Sequence, residues 1–341
     1  MLPENVIDFT RTRFPTTDGK NFRVTPLEKG GSGRIFYRVR TGDTSMIFAK
    51  YTSQREENVH FVDIANFLDK TKVQVPKIYH HDSGEGLIWM QDLGEEDLWS
   101  FRDSDWNLRR DLYCSAIRQV ALIHTTATRS HSNNTLSGPT LQIDFDENLY
   151  LWEQEYFFEN CVKAIFGLDD QQAAQFSHSP ALQRLARDLA RLPRVLIHRD
   201  FQSQNIIIHE ASAWLIDFQG MRPGLPQYDL ASLLYDPYVE LTDNERSELI
   251  EFYKSCAADL GLPIAEDFDK VFYQCATQRL MQALGAYGFL GKRNGRPAFL
   301  RHVPAARKSL LEVVSRLDDL NEVIDLLNAA PVEDEKNTAT L

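Results

Sequence analysis

Cysteine is scarce in this 341-residue chain: the four present, Cys114, Cys161, Cys256 and Cys275, form no C-x-x-C pair and have no histidine cluster beside them. That pattern excludes a disulfide framework and the common zinc modules, and leaves buried thiols in a reducing compartment. Long apolar runs are also missing. Nothing approaches the ~18 residues needed to span a bilayer, and the first ten residues carry Glu4 and Asp8 where a secretory leader would be basic and then apolar. These absences predict a cytoplasmic protein with no membrane partner. Cations are in deficit, 37 Lys plus Arg against 49 Asp plus Glu for a net charge of −12, so the average field repels nucleic acid, which is not an expected partner. Any polyanionic ligand must be met locally by a few cations, backbone N–H groups and a metal. Glycine and proline, at 17 and 14, are not in excess, and 43% of residues are hydrophobic, which excludes wholesale disorder. The length suffices for two lobes with separate cores.

Short alternating runs open the chain. Phe22–Thr25, Arg34–Arg40 and Ser45–Tyr51 read as antiparallel strands separated by Gly-rich or Gly-Asp turns. Residues 55–70 have apolar positions 61, 64, 65, 67 and 68 at helical spacing and stop before Pro76. Another strand pair is read at Lys77–His80 and Gly86–Met90, after which Asp92-Leu-Gly-Glu-Glu breaks the pattern. The expected organisation is an N-terminal lobe over residues 1–93, a mostly helical second lobe over 94–328 and a flexible tail at 329–341. In the second lobe, helices are expected at 108–127, 147–166 and 180–191, with a polar loop at 128–140. Asn205–His209 and Ala213–Asp217 predict a β-hairpin.

The strongest chemical signal is His198-Arg199-Asp200 with Asn205 five residues beyond Asp200, followed twelve residues later by Asp217-Phe218-Gln219-Gly220. The spacing H-R-D-x-x-x-x-N with a downstream D-F is that of a kinase catalytic loop and its metal-binding strand. Asp200 precedes the first hairpin strand, where its carboxylate can orient or accept the proton of an attacking hydroxyl, and is the expected catalytic residue. Asn205 enters the hairpin and Asp217 leaves it, so a tight turn returns two hard oxygen donors to one end, a set that suits Mg²⁺. A surface hairpin carrying ordinary turn residues is the plain alternative.

Upstream, Gly30, Gly31, Ser32 and Gly33 lie between two strands, either as a hairpin turn or as a loop whose N–H groups approach the phosphates of ATP. Lys50 closes Ile47-Phe48-Ala49-Lys50 in the manner of the strand lysine that contacts α and β phosphates, or is a surface lysine. Glu57, with Glu56 as alternative, is the candidate partner for that lysine, although acidic residues also suit any helix N-terminus. Met90, Gln91 and Asp92 stand where a hinge could read adenine through its backbone. Leu149–Phe158 carries five aromatics that either pack in the core or stack an acceptor.

Taken together, Val75-Pro-Lys-Ile, Gln91-Asp-Leu-Gly, His198-Arg-Asp-Phe-Gln-Ser-Gln-Asn, Leu215-Ile-Asp-Phe-Gln-Gly and Gln227-Tyr-Asp-Leu-Ala-Ser-Leu-Leu resemble the aminoglycoside phosphotransferase-like kinases. Within that branch they look like the bacterial anomeric kinases of N-acetylmuramate and N-acetylglucosamine. The resemblance implies an α+β, bilobal, protein-kinase-like fold: an N-terminal antiparallel sheet plus helix and a mostly helical second lobe holding the catalytic hairpin. It also implies ATP and Mg²⁺ as cofactors, Asp200 as catalytic base, Asn205 and Asp217 on the metal, Lys50 on phosphate, and Asp229 bracing the catalytic loop. The expected acceptor is an N-acetylated amino sugar, with aminoglycoside, choline-like or homoserine-like alcohols, or a non-catalytic binding module, as alternatives. Gln219 stands in place of the D-F-G glycine, and only about a dozen residues, with Pro223 and Pro226, separate Asp217 from Tyr228-Asp229. That span leaves no room for a peptide-docking segment.

Overall fold

In the computed structural model, residues 2–15, 21–27, 34–52, 56–133, 135–136, 138–177 and 179–329 are described. Helix α1 (Pro3–Arg13) begins with proline in its first turn, where a missing N–H costs nothing, and Glu4 sits at its positive end. Strands β1 (Phe22–Leu27), β2 (Ile35–Thr41) and β3 (Thr44–Lys50) follow. Gly42 takes φ +56° at the first central position of the two-residue β2–β3 turn, a conformation cheap only for glycine. Helices α2 (Glu56–Val59) and α3 (Phe61–Lys70) lead to β4 (Ile78–Asp82) and β5 (Leu87–Gln91). The sheet is antiparallel throughout, in the order β1-β2-β3-β5-β4.

Period-2 alternation divides the sheet's faces. Tyr37, Val39, Phe48 and Trp89 pack with Val6 of α1, and the Trp89 indole donates to the Thr10 hydroxyl at 3.0 Å. Ala49, Ile88 and Met90 point the other way and join a core containing Phe61, Ile64 and Leu68 of α3, which continues into the second lobe.

That lobe comprises α4 (Trp106–Leu122), α5 (Thr128–Ser132), α6 (Glu147–Phe157), α7 (Asp170–Ser177) and α8 (Pro180–Arg191), then β6 (Val195–Ile197), β7 (Ile206–His209), β8 (Ser212–Leu215) and β9 (Arg222–Gly224). Helices α9 (Pro226–Leu234), α10 (Asp243–Asp259), α11 (Phe268–Gly288), α12 (Val303–Val314) and α13 (Asn321–Ala329) complete it. Helix α11 is buried around most of its circumference and packs against α6, α9 and α12. Its approach to α6 depends on Gly285, where a Cβ would lie 2.7 Å from Tyr156 Cδ1, and on Gly288, where one would overlap the Asn160 carbonyl. Strand β6 pairs with β9, and β7 with β8. The architecture is α+β and kinase-like, as expected.

Local readings differ in several places. The polar stretch expected as a loop at 128–140 is helical to Ser132, because α4 runs on through a π turn in which Thr125 and Thr128 hydroxyls bond back to the carbonyls of Ala121 (2.6 Å) and Ile123 (3.0 Å). The single helix expected over 55–70 is divided between α2 and α3 at His60. Helix α1 was not anticipated. Helix α13 runs through Ala329, and the rest of the expected tail lies outside the described residues. Among the described residues no helix is long and apolar enough to cross a membrane.

Candidate active site

The catalytic loop leaves β6 at His198 and is pinned from below. Asp229, fully buried on α9, accepts from the backbone N–H groups of His198 (2.6 Å) and Arg199 (2.7 Å), and its Oδ2 also meets His124 Nε2 at 3.1 Å. His124 is held in turn by the Tyr253 hydroxyl at 2.8 Å. Further along, Asp236 accepts from the Ser203 N–H (2.8 Å) and hydroxyl (2.6 Å). Charged acceptors on buried N–H groups make the stronger class of hydrogen bond, so the loop is set before any ligand arrives. Arg199 adopts φ +77°, a backbone conformation that costs a non-glycine residue about 1–2 kcal/mol and persists only where surrounding contacts enforce it.

Asp200 stands at the rim of this loop with its side chain 30% exposed, 3.5 Å from the Arg199 guanidinium. Burial pushes its carboxyl up, but Arg199 and Arg279 prevail and hold it below the ordinary carboxylate range. It is therefore an anion at neutral pH, suited to orienting a hydroxyl and receiving its proton late. Asn205 donates Nδ2–H to the Asp200 carbonyl at 2.9 Å, and its own carbonyl accepts from Ile216 N–H at 3.0 Å. That second bond joins the two ends of the β7–β8 hairpin and places Asn205 beside Asp217, which takes φ +63°. Phe218 stacks on Phe61 of α3 with centroids 4.9 Å apart, tying the Asp217 segment to the N-terminal lobe.

Arg34, the first described residue after the Gly-rich segment, crosses the cleft to form an ion pair with Asp217 and donates to Gln219 Oε1 at 3.0 Å. Gln219 closes the triangle by donating to Asp217 Oδ1 at 3.0 Å. The Arg34 side chain is 7% exposed and lies over the rings of Phe36 and Phe61. Sequence reasoning missed this residue. Its partners lie more than 180 positions away, and an arginine at a strand start gives no local sign of such reach.

Gly30, Gly31, Ser32 and Gly33 lie outside the described residues. Lys50 sits at the end of β3, registered between Ile35 and Leu87, and its ammonium makes no hydrogen bond or ion pair among the described residues. Glu57 is not joined to it; its charge is felt instead by Arg199 on the catalytic loop. Phe36, Ala49, Tyr51, Ile88 and Met90 line an apolar hollow beneath the sheet. Gln91 is paired to β4 through Lys77, with its N–H on the Lys77 carbonyl at 2.9 Å. The Asp92 carboxylate is taken up by Arg38 (2.7 and 3.1 Å), the Ser45 hydroxyl and Gly94 N–H (3.0 Å), so only its backbone is available to a ligand.

Three more buried charged residues act on the Arg199–Asp200 pair and were not singled out from the sequence for the site. Arg279 of α11 donates to Ser232 Oγ (2.8 Å) and Gln202 Oε1 (3.3 Å). Arg222 of β9 donates Nε–H to the Gly220 carbonyl at 3.0 Å. Glu153 of α6 is fully buried, accepts from the Tyr228 hydroxyl at 2.8 Å and is pushed up to about 7 by burial, against the pull of Arg199. Buried charges in a stretch of apolar neighbours were the available signal: Arg222 sits among Gly220, Met221, Pro223 and Gly224. In the aromatic stretch, Tyr150, Phe157 and Phe158 are core, while Trp152 and Tyr156 stack on each other at 5.1 Å.

No cluster of three or more His, Cys, Asp or Glu side chains able to hold a metal exists among the described residues. Asn205 and Asp217 nonetheless fit a divalent ion that completes its shell with phosphate oxygens and water, and Asp217 already carries a stand-in cation in the Arg34 guanidinium.

Several known proteins resemble this chain over most of its length. N-acetylmuramate/N-acetylglucosamine kinase of Pseudomonas aeruginosa is 25% identical over 314 residues, covering 90% of this chain and 88% of the relative. The enzyme of the same name from Neisseria meningitidis is 23% identical over 327 residues, covering 94% and 93%. Among solved structures, a microcompartment-associated aminopropanol kinase superposes with TM-score 0.62 at 14% identity, covering 95% of this chain and 99% of that one. Choline kinase from Streptococcus pneumoniae superposes with TM-score 0.61 at 16% identity, covering 90% and 99%. The sequence pattern of the phosphotransferase enzyme family (APH) matches residues 23–263, and the chain belongs to that family.

Proposed function

We infer that this phosphotransferase moves the γ-phosphoryl of ATP, with Mg²⁺, onto a hydroxyl of an N-acetylated amino sugar, with the anomeric C1 hydroxyl as the acceptor. The observation that carries the reading is the charge around Asp200: its carboxylate is presented on a loop braced by Asp229 and flanked by Arg199, Arg222 and Arg279. Three guanidinium groups beside the position of the attacking hydroxyl disfavour cationic acceptors such as choline or an aminoglycoside, which need anionic or aromatic cages. They tolerate a neutral sugar and attract an acidic one. The names of the relatives from Pseudomonas and Neisseria support the same acceptor class.

In this reading Asp200 aligns the sugar hydroxyl and takes its proton as the new O–P bond forms, while the bond from the γ-phosphorus to the bridging oxygen breaks and ADP leaves. Lys50 and the backbone of the Gly30–Gly33 segment neutralise phosphate charge. Asn205 and Asp217 hold the metal, which supplies charge stabilisation on the transferring phosphoryl group. Arg34 must release Asp217 for that ligation, and nucleotide phosphates at the head of β2 offer its guanidinium a new partner. A screen of ATP consumption with N-acetylmuramate, N-acetylglucosamine, glucose, choline and kanamycin tests the proposal. An amino sugar should exceed the others by at least tenfold in kcat/KM; preference for choline or kanamycin would overturn it.

A further inference from the structure

Arg222 is a buried cation with unspent donors. Only 8% of the residue is exposed, yet among the described residues its side chain's sole hydrogen bond runs from Nε to the Gly220 carbonyl, and neither Nη atom is paired or sealed from solvent. A guanidinium held in that way costs several kcal/mol unless an anion compensates it. Among the described residues the fold supplies no carboxylate hydrogen-bonded to it. Glu153, close enough for its charge to be felt, leaves its Oε2 without a hydrogen-bond partner, and Asp200 pairs with Arg199 instead. Burial, and then the repulsion of Arg199, depress the Arg222 guanidinium to about 10, the sign expected of a cation short of partners.

The position is specific. Gly220 lies against the catalytic pair: a Cβ there would sit 3.6 Å from both Asp200 Oδ2 and Arg199 Cδ. With Nε committed to the Gly220 carbonyl, the two Nη groups form the remaining edge of the fork, the geometry that receives a carboxylate through two parallel hydrogen bonds. Arg222 stands on β9, which pairs with the strand entering the catalytic loop, whereas Lys50 belongs to the sheet of the other lobe and Arg34 directly precedes a strand of it. We propose that Arg222 forms an anion subsite for a carboxylate on the acceptor itself, so that the preferred substrate is a sugar acid and not its neutral counterpart. This rests on the amino-sugar reading above and names its acidic member, N-acetylmuramate, whose lactyl carboxylate is carried on O3, two ring carbons from C1.

Arg222→Gln and Arg222→Lys are compared with the unsubstituted chain on N-acetylmuramate and N-acetylglucosamine, by turnover and by equilibrium binding of each sugar, with ATP affinity measured in parallel. Loss of a charged bidentate contact should lower the N-acetylmuramate to N-acetylglucosamine ratio of kcat/KM by about 10- to 100-fold in the glutamine variant, mainly through KM, and by less in the lysine variant. An unchanged ratio with equal losses on both sugars overturns the subsite and makes Arg222 structural. An unchanged ratio with weakened ATP binding also overturns it and assigns the fork to nucleotide phosphate. If neither sugar is phosphorylated but N-acetylmuramate still binds tighter through Arg222, the subsite stands and the proposed function falls. If the unsubstituted chain binds the neutral sugar tighter than the acidic one, the subsite falls.

Discussion

Removing Arg34 should make the enzyme bind a divalent cation more tightly in the absence of nucleotide. Its guanidinium is paired with Asp217 and bonded to Gln219 at 3.0 Å, so metal ligation by Asp217 has to displace it. Hydrogen bonds to a charged group contribute about 1.5–3 kcal/mol each when protected. Asp217, however, is 36% exposed, and exposed ion pairs contribute only about 0–1 kcal/mol, so the partly protected contact is worth about 1–2 kcal/mol. Releasing that competition corresponds to about 5- to 30-fold in metal affinity. Mn²⁺, a paramagnetic substitute for Mg²⁺, can be titrated into the nucleotide-free Arg34→Gln variant and followed by the resonance of the free ion. Arg40→Gln, an exposed change on the strand that Arg34 leads into, controls for net charge and should stay within about twofold of the parent. With a non-hydrolysable ATP analogue present the advantage of Arg34→Gln should shrink, because Arg34 then has phosphate to engage. Unchanged or weaker Mn²⁺ binding in the nucleotide-free variant would refute competition at Asp217.

Asp200→Asn should lower turnover by about 10²- to 10⁴-fold while ATP affinity, measured by titration, stays within a few fold; full activity would end the assignment. Glu153 has a folded-state value of about 7, above its ordinary 4.5, so the stability it contributes is complete below pH 4.5 and lost as pH rises through 7. Glu153→Gln, a neutral mimic, should accordingly gain stability relative to the parent between pH 5.5 and 8.5 in denaturant melts, and a constant difference across that range would contradict the buried-acid reading. The β7–β8 turn places Glu210 at φ +49° and Ala211 at φ +58°, the conformations that asparagine and glycine adopt most cheaply. The pair Glu210→Asn, Ala211→Gly should therefore stabilise the protein by about 1–2 kcal/mol, seen as a raised urea midpoint with unchanged slope.

Legibility followed the range of the interactions. Strands β2 and β3 were readable because alternating burial is written in adjacent residues, and Asp200, Asn205 and Asp217 because one hairpin holds them within eighteen positions. Asp229 was suggested by family pattern, and the structure gives its physical content in two backbone N–H groups and a histidine. Arg34, Arg222 and Arg279 gave no such local trace. Each acquires meaning from a partner brought in by tertiary packing, and arginine in isolation looks like surface. Glu153 stands among the aromatics of residues 149–158 with no local sign of burial, yet it is fully buried, because its helix turns that position under the catalytic loop against Tyr228. The helix ending at Ser132 was hidden by a polar composition that its back-bonded threonines tolerate.

The two groups of cations in the cleft are held by different means, and this divides the work between the lobes. Around Asp200 the supports are buried and internal to one lobe: Asp229 and Asp236 grip the backbone, and Arg279 is bonded to Ser232 and Gln202. Such a loop is preorganised, and its electrostatic effect on the reacting hydroxyl needs no rearrangement at the moment of transfer. Arg34 instead bridges the lobes through a partly exposed carboxylate, a contact weak enough to be exchanged for a ligand. On the proposed function, the fixed loop carries the chemistry and the exchangeable Arg34–Asp217 contact admits the ligand. That division predicts that changes at residue 34 should act on metal and nucleotide affinity, changes at residue 200 on turnover, and changes at residue 222 on which acceptor is chosen.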